Sequence, residues 1–365
     1  MSAHGPMPHT AWIFPALAMA LFAAATGVGW VFAPSLGGWL VAAILLAILF
    51  GTVFAAVHHA EVIAEEVGEP FGTLVLTLAV TIIEVALITT IMLGDKPQPA
   101  LARDTVFAVV MIVCNGLVGL CIFIGGLHYR EQDFQVSGAN LYLSVLFVLA
   151  TITLIMPNYT LTTPGPFYSA TQLGFVDVAT LVLYGVFLYI QTMRHRDYFV
   201  VESANDTDAP KKSSRAVLAL SIPLLLVSLL AVVLLSKKFS LVIDAAAAMI
   251  GAPPAFAGLV VALLILLPEG VAAVSAARNN DLQKSINLAL GSSLATIGLT
   301  IPAVGIATYL LGKELVLGLS PQSTVLLLLT FLLSMLTFGT GRTNILFGLV
   351  HLVVFAVFLF LEFLP

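Results

Sequence analysis

Long apolar runs recur along this chain, and short polar stretches separate them. A helix needs about 20 apolar residues to cross the roughly 30 Å hydrocarbon layer of a bilayer. Because the runs do not alternate between apolar and polar residues, a transmembrane β-barrel is excluded. The pattern instead predicts eleven membrane-spanning helices, at residues 12–32, 38–60, 71–93, 104–127, 138–157, 172–193, 216–236, 255–277, 283–310, 321–340 and 344–364.

The first run could also be a secretory signal sequence. No lysine or arginine precedes it, and it is longer than the 7–15-residue apolar segment of a typical signal peptide. We therefore interpret it as the first spanning helix.

The composition supports a membrane protein. Of 365 residues, 60% are apolar and 9% are charged, and the mean hydropathy is +1.09. Soluble domains carry about 25% charged residues, so this chain could not cover a water-exposed surface. The net charge of −5 argues against a nucleic-acid partner. Cys114 and Cys121 share one apolar run and are expected to be buried thiols.

A polar segment at residues 194–215 divides the chain near its middle, and the two sides of it look alike. The tripeptide Gly68-Glu69-Pro70 on one side is matched by Gly251-Ala252-Pro253 on the other. An apolar run with a single glutamate follows each tripeptide, Glu84 in the first half and Glu269 in the second. The similarity predicts an internal duplication.

One helix followed by two sets of five fits this duplication. Because five is odd, the second set would enter the membrane from the opposite face, as in the inverted repeats of many secondary transporters. The sequence therefore predicts an all-α polytopic membrane protein with an extra N-terminal helix and two inverted five-helix repeats. The predicted boundaries are 1–37 for the extra helix, 38–193 and 216–365 for the repeats, and 194–215 for a cytoplasmic hydrophilic loop.

The two glutamates are the strongest candidates for function. Glu84 and Glu269 each lie near the middle of a predicted span, where a charged side chain costs about 2.5–3.5 kcal/mol on insertion scales. A single one could be a protonated residue that hydrogen-bonds two helices. Two at matching positions of two repeats favour a binding site, and transporters of this design bind their substrate near the midplane.

Hydroxyl groups lead towards the first glutamate. Thr73, Thr77, Thr81 and Glu84 are spaced four, four and three residues apart, which puts them on one face of a helix. The stripe indicates a polar pathway that ends at a carboxylate. Alternatively, the threonines bond to carbonyls of their own helix.

A proline precedes the second glutamate. Pro268 has no N–H to donate, so the carbonyl of Leu264 loses its usual helical partner. A carbonyl freed in this way beside Glu269 could be an oxygen ligand for a hard cation. Irregular backbone at this depth needs protein or a water-filled cavity around it.

Small polar clusters in two further spans could complete a cation site. Amide and hydroxyl oxygens without clustered cysteine or histidine suit Ca²⁺, or Na⁺ at a smaller site. The alternative is close helix packing through small residues. The clusters contain Asn115 with Gly116 and Gly119 in the first half, and Ser292, Ser293 and Thr296 in the second.

A further group of titratable residues lies at the end of the second run. His58, His59 and Glu61 precede three more glutamates there, and the group could be a cation funnel or a pH sensor. A solvated helix end is the simpler interpretation. An intramembrane hydrolase that uses these residues is an alternative function, although the chain has neither an HExxH motif nor a phosphate-binding P-loop motif. We expect no enzymatic activity and no resident cofactor.

Two segments resemble the paired α-repeats of the calcium/cation antiporter superfamily. They are HHAEVIAEEVGEPFGTLVLTLAVTIIEVALI and LLPEGVAAVSAARNNDLQKSINLALGSSLATIGL. The chain is most similar to the ChaA-type branch of bacterial calcium/proton exchangers, and the likeness covers essentially its whole length. The resemblance implies ten core helices in two inverted halves and Ca²⁺/H⁺ antiport, with Na⁺/H⁺ or K⁺/H⁺ exchange in some members.

The resemblance also implies roles for particular residues. Glu84 and Glu269 fall on the essential acidic positions, and the polar clusters fall on the neighbouring polar positions. The chain departs from many members in having Thr81-Ile82-Ile83 where they have Gly-Asn-Ala, and Gly270 where they have histidine. These departures bear on ion selectivity.

The glutamate pair suggests how exchange is coupled. Desolvation and mutual repulsion keep protons on the carboxyls until a cation arrives. One Ca²⁺ or two protons each neutralise the site, so only loaded states cross the membrane readily.

A mainly Na⁺/H⁺ or K⁺/H⁺ antiporter is the alternative function within transport. The expected partners are the transported ions and the lipid bilayer. Assembly into a homo-oligomer is possible, and the sequence does not decide it.

The distribution of basic residues predicts the orientation. With eleven spans, nine of the 14 lysine and arginine residues fall on the side of the N-terminus and five on the other. Positive residues concentrate in cytoplasmic loops. Reporter fusions should therefore find the N-terminus and the 194–215 loop inside and the C-terminus outside. Two termini on the same side would contradict this topology.

Overall fold

The structure is a computed structural model that describes residues 7–68, 71–92, 98–199 and 215–364, with the backbone alone for residue 215. It contains thirteen α-helices within these ranges. They are α1 (His9–Gly27), α2 (Leu36–Val67), α3 (Phe71–Met92), α4 (Leu101–Met111), α5 (Val118–Tyr129), α6 (Val136–Ala150), α7 (Ala170–Tyr189), α8 (Arg215–Ile250), α9 (Phe256–Arg278), α10 (Leu282–Ala295), α11 (Ile301–Leu310), α12 (Pro321–Phe338) and α13 (Ile345–Phe363).

Eleven helical segments in the described ranges are long and apolar enough to cross a membrane. Two of these spans are built from a pair of helices joined by a π-helical segment, α4 with α5 and α10 with α11. The eleven spans and the all-α class predicted from the sequence are confirmed, and the chain is a multi-pass integral membrane protein.

Polar side chains begin several of these helices at the predicted apolar boundaries. Ser35 Oγ accepts a hydrogen bond from Gly38 N at 3.1 Å at the start of α2. Ser169 and Gln172 form a reciprocal capping box at the start of α7. Such caps satisfy N–H groups that lack a partner within the helix. Asp281, Ser320 and Asn344 cap α10, α12 and α13 in the same way.

Helix α8 is longer than its apolar run predicts. The run ends near residue 236, but the helix continues to Ile250 over 36 residues, or about 54 Å. Lys237 and Lys238 therefore lie within a helix and not in a loop. Lys238 Nζ donates to the carbonyl of Trp30 at 2.7 Å and lies 5.5 Å from the centre of its indole ring. These contacts satisfy the ammonium without ending the helix.

The polar segment at 194–215 begins with packed structure and not with a loop. A 3₁₀ turn, Arg196–Tyr198, leads into Phe199, which is buried. The Phe199 ring packs edge-on against Tyr142 and Phe187. The aromatic side chain explains why these first residues fold onto the helices. The rest of the predicted loop, 200–214, lies outside the described residues.

The helices fall into two compact units that do not follow the predicted halves. One unit consists of α1, α2, α3 and α8, and α2 packs against each of the other three. The second unit contains the remaining nine helices. The boundaries of the proposed duplication therefore stay a prediction.

The span formed by α4 and α5 is the core of the second unit. Most of its side chains are buried, and its neighbours include α9, α10, α12 and α13. A short antiparallel ribbon joins two connections of this unit, β1 (Glu131–Asp133) with β2 (Arg342–Asn344). Arg342 Nε donates to Asp133 Oδ1 at 2.9 Å across the ribbon.

Helices α5 and α13 cross at glycines. A Cβ added at Gly348 would lie 2.6 Å from Phe123 N and 2.8 Å from Gly119 O. Atoms cannot approach so closely, so the two backbones touch only because no side chain stands between them. The small residues near Asn115 thus have a packing role.

We expect Gly348→Ala to lower stability by about 1–3 kcal/mol, because the methyl group forces α13 away from α5. Gly185→Ala is the matched control, since a Cβ at Gly185 in α7 would meet nothing within 4 Å. Alanine there should be neutral or slightly stabilising. Thermal unfolding in detergent measures both, and equal effects would contradict the close crossing.

Candidate functional site

The first predicted glutamate is deeply buried on α3. Glu84 is 1% exposed, and Thr81, three residues earlier, is also buried. Helix α3 packs against α2 and α8 in its own unit. The helical spacing of Thr73, Thr77, Thr81 and Glu84 expected from the sequence is present, because α3 is continuous from Phe71 to Met92.

One threonine of this stripe is directed at its own helix. Thr77 Oγ1 donates to the carbonyl of Thr73 at 2.7 Å, four residues earlier. This is the local back-bonding that hydroxyl side chains commonly adopt in helices. For Thr77 this is the alternative expected from the sequence, a hydroxyl bonded to a carbonyl of its own helix.

The second glutamate lies on α9, in the other unit. Glu269 is half-buried, and Pro268 beside it is buried within a continuous helix. Helix α9 packs against α4, α5 and α10. A Cβ at Gly258 would lie 2.8 Å from backbone atoms of Asp104 and Thr105, so α9 and α4 approach closely.

The turn that carries Glu269 faces the π-helical segment between α4 and α5. This segment is Ile112–Leu117, and it includes Asn115. A Cβ built at Gly270, the residue after Glu269, would have Leu117 Cδ1 as its nearest atom, at 3.8 Å. π-Helical segments are rare and occur frequently at functional sites.

Helix α10, which carries the second polar cluster, packs against α9 and so brings that cluster to the helix of Glu269. Ser285 Oγ donates to the carbonyl of Ala273 at 2.7 Å, which fixes the register of the α9–α10 hairpin. That register puts Ser292 about one turn from the level of Glu269. Ser293 is fully buried, and its Oγ has no hydrogen-bond partner within the described residues.

Thr296 begins a second π-helical segment, Thr296–Thr300, which joins α10 to α11. Its side chain is buried. Each span that carries a predicted polar cluster therefore contains π-helical backbone next to that cluster. The change of helical pitch leaves some carbonyls without their usual i+4 donor.

Asn115 is held by a hydrogen-bonded chain of fully buried side chains. Its Nδ2 donates to Thr330 Oγ1 on α12 at 2.8 Å. Its Oδ1 lies 3.2 Å from His351 Nδ1 on α13, and His351 Nε2 lies 2.9 Å from Thr337 Oγ1. Thr330 Oγ1 in turn donates to Leu326 O at 2.8 Å. The chain ties α12 and α13 to the segment beside Glu269.

The orientation of the Asn115 amide sets the directions of these hydrogen bonds. The Asn115 amide nitrogen donates, so Oδ1 is the acceptor and His351 Nδ1 must carry a proton. A neutral His351 then accepts from Thr337 at Nε2. One lone pair of Asn115 Oδ1 is left for a further partner.

The sequence did not identify His351, Thr330 or Thr337 as part of this arrangement. A histidine inside an apolar run is a signal, because a polar side chain at that depth needs a partner. Nothing in the spacing connects His351 with a residue 236 positions away.

The predicted group at the end of α2 lies in the unit of Glu84. His59 is fully buried, and its Nε2 donates to the carbonyl of Ala11 at 3.0 Å. Its Nδ1 then accepts from Ser221 Oγ at 3.2 Å. Both ring nitrogens thus join α1 and α8 to α2, which leaves His59 unsuited to serve as a hydrolytic base. His58 is half-buried and Glu61 is exposed.

The candidate ligands are oxygen atoms. Within the described residues, no group of three or more His, Cys, Asp or Glu side chains is placed to hold a metal ion. The structure gathers Glu269, Asn115, Ser292, Ser293 and Thr296 around neighbouring helices of one unit. Glu84, Thr81 and Thr77 lie on α3 of the other unit. Carboxylate, amide and hydroxyl oxygens are ligands for hard cations.

Comparison with known proteins shows the class to which this fold belongs. The sodium/calcium exchanger protein family matches residues 37–193 and 220–364. The sodium-potassium/proton antiporter ChaA of Escherichia coli is 38% identical over 286 residues, 77% of each chain. A Ca²⁺/H⁺ antiporter of Synechocystis is 26% identical over 66% of this chain and 69% of its own.

A solved structure has the same fold. The crystal structure of the Ca²⁺/H⁺ antiporter protein YfkE aligns with a TM-score of 0.72 over 97% of this chain and 99% of that chain, at 17% identity. With the family match over most of its length, the chain belongs to the sodium/calcium exchanger protein family. It is thus a membrane transporter of cations.

The buried network around Asn115 can be tested through stability. His351→Leu leaves Asn115 Oδ1 and Thr337 without their partner, so we expect a loss of about 1–3 kcal/mol. His128→Leu is the control, because His128 is exposed and its Nδ1 contacts only the carbonyl of Ile124 in its own helix. Its effect should stay within about 0.5 kcal/mol. Equal loss of thermal stability in both variants would refute the network.

Proposed function

We propose that the chain exchanges Ca²⁺ for protons across the membrane by alternating access. Glu84 and Glu269 bind either the cation or protons, and neutral loaded states of the site cross more readily than the empty ionised state. Transport is its activity, and no catalysed reaction is expected. Ca²⁺ is the transported substrate and not a resident cofactor.

The observation that carries this proposal is a lone glutamate within a membrane span of each unit. Glu84 is buried on α3, and Glu269 lies on α9 next to helices that present buried polar oxygens. A carboxylate at this depth is expensive unless it is neutralised. Two such groups together match the charge of one divalent cation or of two protons.

Asn115, Ser292, Ser293, Thr296 and Thr81 are proposed as neutral oxygen ligands that supplement the carboxylates. Asn115 has the best-defined geometry, because its hydrogen bonds to Thr330 and His351 hold the amide group in place. Ser293 supports the assignment through a buried Oγ that has no partner in the described part of the chain. Roles as pathway residues for Thr77, His58, His59 and Glu61 remain predictions.

The names of relatives support the reaction and introduce one second candidate. Ca²⁺/H⁺ antiport is the named activity of the Synechocystis relative, and a proton is also the counter-ion in the name of the E. coli relative. Since that relative is a sodium-potassium/proton antiporter with 38% identity, Na⁺/H⁺ or K⁺/H⁺ exchange is the second candidate.

The inverted duplication is part of the proposal. The family matches the chain in two separate segments, residues 37–193 and 220–364, which supports the predicted repeats at 38–193 and 216–365. The π-helical segments at Ile112–Leu117 and Thr296–Thr300 support it as well, because each half has one next to its polar cluster. The cytoplasmic position of the N-terminus remains a prediction.

We expect Glu84→Gln and Glu269→Gln each to reduce exchange to the background of protein-free liposomes. Either change removes one of the two charges that a divalent ion requires. The assay adds Ca²⁺ to proteoliposomes with a preformed pH gradient and follows the gradient with a pH-sensitive dye. Glu314→Gln is the control, since Glu314 is an exposed glutamate outside the spans.

The same vesicles separate the two candidate functions. If Na⁺ or K⁺ dissipates the gradient and Ca²⁺ does not, the function is monovalent cation exchange. A Gln variant that folds and retains near wild-type exchange would refute the paired-carboxylate mechanism. Folding is checked by circular dichroism and gel filtration, so lost activity is not confused with lost structure.

A further inference from the structure

Another carboxyl within a membrane span has no part in the mechanism above. Asp177 is on α7, seven residues from its first residue and thus about 10 Å along the helix. The residue is 6% exposed. Ionisable groups at such positions are rare because they are costly, and they usually bind an ion or a proton.

Two glycines allow α7 to pack closely against the α10–α11 span. A Cβ at Gly305 would lie 2.7 Å from Asp177 Oδ2, and a Cβ at Gly298 would lie 2.6 Å from Tyr184 Cγ. The two contacts are seven residues apart on both partners and run in opposite directions. Helix α7 is therefore antiparallel to this span, and the Asp177 carboxyl rests directly on the backbone of α11.

Two polar atoms on this face of α7 are left unsatisfied. Asp177 Oδ1 and Thr180 Oγ1 are buried and have no hydrogen-bond partner in the described ranges of the chain. Because they are three residues apart, they are neighbours on the helix surface. Buried polar groups are nearly always paired, so the arrangement calls for an additional occupant.

Among the helical elements that pack against α7 in the described residues, no basic side chain lies near the carboxyl. The elements packed against α7 are α6, α11 and the π-helical segments Thr296–Thr300 and Ile190–Arg194. Their titratable residues are Tyr142 on α6, whose Oη accepts from Gln191, the exposed Tyr309 on α11, and Arg194. Helix α7 adds Tyr184 and Tyr189. Arg194 is the one cation among them, and it lies 17 residues from Asp177, about 25 Å along the helix.

We propose that Asp177 is a proton-binding site separate from Glu84 and Glu269. Asp177 holds its proton while α7 is packed on α11 and exchanges that proton with water at the end where α7 begins. The backbone of Gly305 already contacts the carboxyl and leaves no room for a larger ion. A proton needs no added volume. An ionised Asp177 would put an unpaired charge against α11, which continues the segment that begins at Thr296.

Infrared spectroscopy of the purified full-length protein tests the site without transport. We expect a protonated-carboxyl C=O band that Asp177→Asn lacks and that disappears reversibly as the pH rises while circular dichroism remains native. Thr180→Val is the matched control, since it alters the same helix face and keeps the carboxyl. Its band should persist at neutral pH.

A second variant keeps the test decisive if Asp177→Asn does not fold. Gly305→Ala crowds the carboxyl out of its contact, so the pH midpoint of the band should shift downward. If Asp177→Asn removes no protonated-carboxyl band and aspartate-specific isotope labelling shifts none, the carboxyl is ionised and the proposal is wrong. A band that persists at every pH where the protein is folded would refute proton exchange. Neither outcome depends on Ca²⁺ transport, so the proposed function would stand or fall separately.

Discussion

The cost of a carboxylate in a low-dielectric layer is the constraint on which this transporter depends. A charge in the middle of a spanning helix costs several kcal/mol unless an ion, a proton or a strong hydrogen-bonding environment compensates it. In the proposed mechanism, Glu84 and Glu269 favour states in which the site is loaded. The cost of the empty, ionised site would then couple the movement of the two ions. Asp177 meets the same constraint at another position, where α11 approaches too closely to leave room for a larger ion.

The second unit supports its polar groups by a recurring arrangement. The last helix of each predicted repeat places an aromatic ring on a glycine of a π-helical segment, Phe355 on Gly116 and Tyr184 on Gly298. Four residues before each ring, the same helix carries a buried polar side chain, His351 in one case and Thr180 in the other. His351 reaches Asn115 and completes a hydrogen-bonded network. Thr180 Oγ1 has no hydrogen-bond partner in the described part of the chain. Helices α13 and α7 thus pack on their glycines in the same way, but only the polar side chain of α13 is hydrogen-bonded into a network.

Much of the architecture follows from the sequence, since spans are set by local hydrophobicity and membrane thickness. The free-energy cost of a charge within a membrane span identified Glu84 and Glu269 as candidates from the sequence. The length of α8 was missed because Lys238 finds its partners at Trp30, more than 200 residues away. The partner of Asn115 was missed for the same reason. Long-range contacts of this kind depend on how the helices pack, and no spacing along the chain encodes them. The packed position of Phe199 was also hidden, since the 194–215 segment that contains it is polar as a whole.

The most direct test of the account is whether a pH gradient alone moves Ca²⁺. Proteoliposomes containing the wild-type protein, with an acidic interior and neither Na⁺ nor K⁺ present, should accumulate ⁴⁵Ca²⁺ on the acidic side. Collapse of the gradient by a protonophore should release it. If two protons replace each Ca²⁺, clamping the voltage should change the rate little, whereas a third proton would add about 2.3 kcal/mol per 100 mV. Ca²⁺ movement that is indifferent to the pH gradient would contradict the claim that protons and Ca²⁺ compete for one pair of glutamates.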